Sequence, residues 1–271
     1  MSSIVLSAGV RSNLLQLQQT SDAITQTQTR LATGLRVNSA LDNPNNYFTA
    51  QGLNNRASDL GNLLDSMATG INTIQAANNG ISAITKLVQS AQSLVSQAQQ
   101  TSDTTTRASL ATQFDQIRSQ IDQLAQDSGF NGINLLNGDN LTVTLNETGK
   151  SSVTISGVTD TTASKLAINA SSNNWAGATD ITAASTALTS ALTTLRSQAQ
   201  SLGSSLSTVQ IRQDFTKATI NTLQTGANDL TLADSNQEGA NLLALQTRQQ
   251  LSTTALSLAS QADQNVLRLF Q

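Results

Sequence analysis

The sequence predicts a mainly α protein: long coiled-coil helices from both termini packed as discontinuous helical domains, with a small β-hairpin segment in the middle. Only 3% of its 271 residues are aromatic and 11% charged, and long stretches are Gln, Asn, Ser, Thr and Ala. That composition suits helices that each bury one apolar stripe against a neighbour, rather than a core of large side chains. Apolar residues recur in alternating steps of four and three, the spacing of a coiled-coil seam. The single proline, Pro44, interrupts that pattern once. A net charge of −3 is too small, and the periodicity too regular, for a disordered chain.

The first seam runs Val10, Leu14, Leu17, Ser21, Ile24, Gln28, Leu31, Leu35. It ends in Leu31–Ala50, LATGLRVNSALDNPNNYFTA, where Asp42-Asn43-Pro44 closes one helix and opens the next. A residue before proline is pushed toward extended geometry, whereas proline is well placed as the first residue of a helix. The second seam, Leu53, Leu60, Leu64, Met67, Ile71, Ile74, Asn78, Ile81, Thr85, Val88, Val95, carries a helix to about Gln99, roughly 80 Å long at 1.5 Å per residue. Thr101-Ser102-Asp103 supplies turn and cap chemistry for a third helix through Leu110, Phe114, Ile117, Ile121 and Leu124, stopped by Ser128-Gly129.

From Asn131 the period falls to two. Leu141–Leu145 and Val153–Ile155 alternate apolar and polar around a Gly149-containing turn, which predicts a hairpin followed by loop to about Ala178. The fourth seam, Leu188, Leu192, Leu195, Ala199, Leu202, Leu206, Val209, Gln213, Thr216, Ile220, Leu223, is expected to break at Thr225–Asn228. The last seam is Ala244, Arg248, Leu251, Ala255, Leu258, Ala262, Asn265, Leu269. Because the two breaks lie about equally far from the ends, the simplest pairing sets first helix against last. The expected domains are 1–43 with 228–271, an inner coiled coil; 44–130 with 179–227, an outer helical domain; and 131–178, a hairpin-and-loop segment.

Chemistry is poorly represented. Without histidine, no Ser-His-Asp catalysis or His-ligated metal is expected; without cysteine, no disulfide or thiolate site. No Gly-rich phosphate loop is present, and Asp229, Asp234 and Glu238 read as favourable charges near a helix N-terminus. No catalytic residue, cofactor or metal is expected. A pI near 4.8 argues against nucleic acid, no apolar run approaches the ~20 residues of a membrane span, and MSSIVLSAGVRSN does not read as a secretory signal. Interaction surface remains. Polar seam residues such as Ser21, Gln28, Asn78, Gln213 and Asn265 are expected to keep the terminal helices apart in the free chain until assembly orders them.

RLATGLRVNSALDNPNNY resembles the bacterial flagellin signature RLSSGLRINSAKDDAAG, with Arg30, Leu31, Gly34, Leu35, Arg36, Asn38, Ser39, Ala40 and Asp42 at matching positions. SGFNGINLLNG (Ser128–Gly138) is similar to the family's QFNGVKVL, and ASQADQNVLRLFQ (Ala259–Gln271) to its ANQVPQNVLSLLR. The resemblance covers roughly the first 140 and last 90 residues, and the short middle leaves no room for the family's variable outer domains. It implies a structural subunit that polymerises, alone or with other flagellins, into a hollow helical propeller for motility outside the cell. Export in unfolded form, an export chaperone, a filament cap and hook-associated junction proteins are implied with it. A flagellin-like hook–filament junction protein, which shares both terminal helices, is the alternative.

The resemblance also assigns sites. Arg30, Leu31, Gly34, Leu35, Arg36, Asn38, Asp42 and Pro44 form the hinge and a subunit interface; Val10, Leu14, Leu17, Ile24, Leu251, Leu258 and Leu269 lie on the terminal coiled-coil seam. Flagellins that stimulate Toll-like receptor 5 carry a segment like QRVRELAVQ, where this chain has QSAQSLVSQ (Gln89–Gln97). Leu94 is kept, Ser90 and Gln92 replace two arginines, and Gln113 replaces a glutamate. Serine and glutamine cannot reproduce arginine's planar fork of donors, so a poor receptor ligand is expected.

Overall fold

A computed structural model describes residues 8–159 and 161–269. Five helices run α1 (Ala8–Thr33), α2 (Pro44–Gln100), α3 (Thr104–Asp127), α4 (Ala178–Thr231) and α5 (Ser235–Leu269). Strands β1 (Leu141–Thr144) and β2 (Ser152–Ile155) form one antiparallel hairpin, Leu141 opposite Ile155 and Thr144 opposite Ser152. Pro44 is the first residue of α2. Asp103 caps α3, its carboxylate accepting the Thr106 N–H at 2.7 Å.

The chain divides into two compact units, residues 1–55 with 222–271 and residues 56–221. In the first, α1 lies along α5, so the polar seam residues do not hold these helices apart in the single chain. Burial along α1 falls on Val10, Asn13, Leu17, Thr20, Ile24, Thr27 and Leu31. Val10, Leu17 and Ile24 thus occupy the seam, but Leu14, Ser21 and Gln28 are displaced from it by one residue, to exposed positions. On α5 the covered positions are Glu238, Leu242, Leu245, Gln249, Ser252, Leu256 and Ala259. The stripe Ala244, Arg248, Leu251, Ala255, Leu258, Ala262, Asn265 lies one residue, or about 100°, to the side and is exposed throughout. Two heptad stripes share this helix: one carries Leu242, Leu245 and Leu256 and is covered, and the other carries Leu251 and Leu258 and is exposed. The side chain of Leu269 lies outside the described residues.

The second unit carries the larger core. On α2 Met67, Ile74, Ile81, Val88 and Val95 alternate with Gly70, Ala77, Ile84, Ala91 and Ala98, all buried. The expected Ile71, Asn78 and Thr85 are each one residue off this face and half-buried. Small residues at those places let the neighbouring elements approach. A Cβ on Gly70 would fall 2.7 Å from Val143 Cγ2 on β1, and one on Gly80 would fall 2.2 Å from Ser128 Oγ. The α4 seam is occupied as expected, with Leu188, Leu195, Leu202, Val209 and Thr216 buried. Its end differs: α4 runs through Gly226, and the break lies at Leu232–Asp234. Glycine inside a helix costs only about 1 kcal/mol, and the buried Ala227 holds the helix across it.

Beyond β2 the chain crosses α3 as a strap clasped by three side chains on one face. Asp122 accepts the Ala163 N–H at 2.7 Å, Arg118 donates to the Ile168 carbonyl at 3.0 Å, and Asp115 accepts the Ser171 N–H at 2.9 Å. Trp175 ends the strap fully buried, its ring centroid 5.0 Å from that of Phe114.

Gly80→Ala tests the close approach. Alanine's better helix propensity favours the variant by about 1 kcal/mol, but overpacking costs about 1–3 kcal/mol. The clash includes the Ser128 Cβ at 2.7 Å, which no rotamer change moves. The expected result is a lower melting temperature by circular dichroism; a higher one contradicts the packing described.

Candidate functional site

The hinge motif is built where α1 stops. Gly34 adopts φ +70°, a left-handed conformation open to glycine, and its N–H closes the last turn on the Arg30 carbonyl at 2.8 Å. The chain then pairs with the α4–α5 connection. Leu35 forms an antiparallel bridge with Leu232, the Arg36 N–H donates to Thr231 O at 2.7 Å, and the Ala233 N–H donates to Gly34 O at 2.9 Å. Arg36 also extends Nη2 to the Leu230 carbonyl at 3.3 Å. A cation there meets the negative end of the α4 dipole.

The loop beyond is closed by Asp42. Its Oδ2 accepts the N–H groups of Asn38 at 2.9 Å and Ser39 at 3.0 Å, while Asn38 Nδ2 donates to Leu35 O at 3.0 Å. The Ser39 N–H, then the Asn38 N–H, hold the Asp42 carboxyl below its usual 3.8, with the Arg30 charge adding and desolvation opposing. Asn43 Oδ1 accepts the Asn46 N–H and so caps α2 behind Pro44; Asp234 caps α5 through the N–H groups of Asn236 and Gln237.

Arg30 is the one motif side chain that ties α1 to α5 by charge. Its Nη1 lies 3.2 Å from Oε1 of Glu238, whose side chain is only 10% exposed. Glu238 therefore does more than favour a helix N-terminus: it anchors the motif's first arginine. No local sequence signal joins residues 208 apart. Leu31 and Leu35 are half-buried.

The remaining expected positions are scattered. Val10, Leu17 and Ile24 meet α5, whereas Leu14, Leu251 and Leu258 are exposed. Ser90 and Gln113 are exposed and Gln92 and Leu94 half-buried, on α2 and α3. Unanticipated by the sequence were the Asp115–Arg118–Asp122 clasp, legible only as charges at spacings of three and four, and two large apolar residues on the outside of α4, Ile211 and Phe215. Among the described residues no three His, Cys, Asp or Glu side chains gather as a metal site, and no helix is long and apolar enough to cross a membrane.

Fold and hinge together define a helical protein in which α1 and α5 are tied through one pair of connections and whose long helices carry apolar stripes that no other element covers among the described residues. Residues 8–141 match the model of the bacterial flagellin N-terminal helical region, and 185–270 that of the C-terminal helical region. The chain is 31% identical to flagellin FljK of Caulobacter vibrioides over 100% of its length and 99% of that protein's, and 28% identical to a flagellin of Brucella melitensis over the full length of both. Against flagellin A of Rhizobium meliloti (strain 1021), identity is 44% over 30% of this chain and 21% of that protein. A crystal structure of Bacillus cereus flagellin aligns at 18% identity with TM-score 0.48, covering 57% of this chain and 88% of that one. The chain belongs to the bacterial flagellin family. It is a structural filament subunit of a structural protein family.

The hinge carboxylate sets a pH dependence. A folded-state value below the unfolded one means that Asp42 contributes stability above about pH 4, lost as the pH falls through the folded value. Melting temperatures of wild type and Asp42→Asn across the acid range should therefore converge as the pH drops below that window; a constant gap would contradict this role.

Proposed function

We propose that this chain polymerises through the exposed stripe of α5 and the hinge, alone or with other flagellins, into the flagellar filament outside the cell. The observation that carries the reading is the α5 surface. Leu243, Leu251 and Leu258 are 66%, 67% and 62% exposed, lie within about 80° of one another on the helix, and the last two stand one heptad apart. Each contributes roughly 1.5–3 kcal/mol when taken from full exposure to full burial. Contact through unlike surfaces that do not close a ring yields an open helical polymer. The hinge residues Arg30, Gly34, Arg36, Asn38 and Asp42 make the tie from which α1 and α5 extend together, and the inner domain of 1–43 with 228–271 is the part that orders the filament core. An export chaperone, a cap and junction proteins complete the partners, and the chain performs no catalysis.

Purified protein raised in concentration at high salt should give long, uniform filaments by negative-stain microscopy. Short or absent polymers would contradict the filament role and favour the junction protein.

Toll-like receptor 5 is poorly served by this surface. At Ser90 and Gln92 the chain offers no guanidinium, and Leu94 is half-buried against the core, while interface energy concentrates in groups such as arginine. Purified monomer should activate receptor-bearing reporter cells weakly or not at all, and potent activation would overturn this reading.

A further inference from the structure

A cavity of about 160 Å³ opens on the second unit between the strap and the start of α4. Its floor is Phe114 and Trp175, its α4 wall is Ala183, Ala184 and Ala187, and Asp180 stands at its edge. An apolar cavity of about 150 Å³ accepts a benzene ring. This one is open on one side and also lined by Asn169 and Ser172 of the strap; its volume matches an aromatic side chain, and no side chain among the described residues fills it.

The same helix carries a matching knob. Ile211 and Phe215 are 66% and 64% exposed, on the outward side of a coiled-coil helix where polar residues are the rule. Ile211 follows Ala183 by 28 residues and Phe215 follows Ala187 by 28, four heptads in each case. Ala183 and Ile211 each follow a buried seam residue by two (Ile181, Val209); Ala187 and Phe215 each precede one (Leu188, Thr216). In the frame of the seam, slot and knob therefore lie on one face of α4, about 42 Å apart at 1.5 Å per residue. Charge agrees as well: Arg212 adjoins the knob and Asp180 the slot, and among the described residues neither forms an ion pair.

We propose that the Phe215 ring of one copy, with Ile211 against the rim, seats in the Phe114–Trp175–alanine slot of the next copy, Arg212 of the first meeting Asp180 of the second. The contact joins unlike surfaces and shifts successive copies along α4, so it propagates without closing. It rests on the filament reading and names one contact that holds the polymer.

The chain's lack of cysteine gives a clean test. The variant Asp180→Cys with Arg212→Cys keeps the knob and the slot walls. Its two thiols are 32 residues apart, about 48 Å along one helix, so a short bifunctional maleimide cannot link them within a chain. Polymer treated with it should run as a ladder of covalent multimers in denaturing gels, whereas filaments visible by microscopy that run only as monomer overturn the proposal. In parallel, Phe215→Ala should raise the monomer concentration left at equilibrium about tenfold with unchanged helix content, since the side chain lies outside the core; an unchanged monomer concentration also overturns it. Wild-type protein that forms no polymer in the same buffer sinks the filament reading, and this contact with it.

Discussion

Everything in the second unit depends on how closely its helices and hairpin can approach α2. With few aromatic residues available, burial must come from many modest side chains, and dispersion between them falls off within an ångström of contact. At the alternate core positions α2 carries Gly70, Ala77, Ala91 and Ala98, with Gly80 beside them, and only Ile84 of that series is large. β1 comes in over Gly70 and the turn after α3 over Gly80, while Met67, Ile74, Ile81, Val88 and Val95 supply the larger buried side chains. Cores tolerate neither voids nor excess volume, so the small residues matter as much as the large ones. Only Trp175 and Phe114 break this economy of size, and they stand where the strap must be pinned to α3.

The first unit is held differently. Its helices α1 and α5 bury polar residues as often as apolar ones, Thr20, Thr27 and Glu238 among them. Threonine hydroxyls can return to the helix backbone, as Thr20 does to the Gln16 carbonyl at 2.8 Å, and Glu238 has Arg30. Such a seam contributes little apolar burial, and it leaves Arg30 Nε buried without a hydrogen-bond partner. The leucines that would strengthen it, Leu243, Leu251 and Leu258, face away. That division suits the filament contact proposed above: the intrachain pairing sets a register, and a second apolar stripe stays exposed.

Much of this was legible in the sequence where local chemistry decides the outcome. Pro44 opens α2, Asp103 caps α3, and the period of two at Leu141–Leu145 becomes β1, because each is a short-range steric or hydrogen-bonding preference. The seam of α4 was legible because bulky residues and burial coincide there. On α1 and α2 they do not: burial at every second seam position passes to Thr20, Thr27, Ala77 or Gly70, small residues favoured by a close neighbour that the sequence does not reveal. Gly226 and Ser128-Gly129 look alike as helix breakers, yet only the second ends a helix, since the packing of Ala227 carries α4 onward. The hinge motif was found through its resemblance to a family signature, but the partner of Arg30 lies on α5 and no local pattern points to it. The strap was missed because it is held by α3 side chains bonding to its backbone, which leaves its own sequence almost unconstrained.

The central claim is that stripes left bare in the single chain become the contacts of the polymer. Hydroxyl-radical footprinting, read by mass spectrometry on monomer and on sedimented polymer of the same preparation, addresses it directly. The account predicts strong labelling of Leu243, Leu251, Leu258, Ile211 and Phe215 in the monomer and marked protection of all five in the polymer. Equal labelling in both states would contradict it.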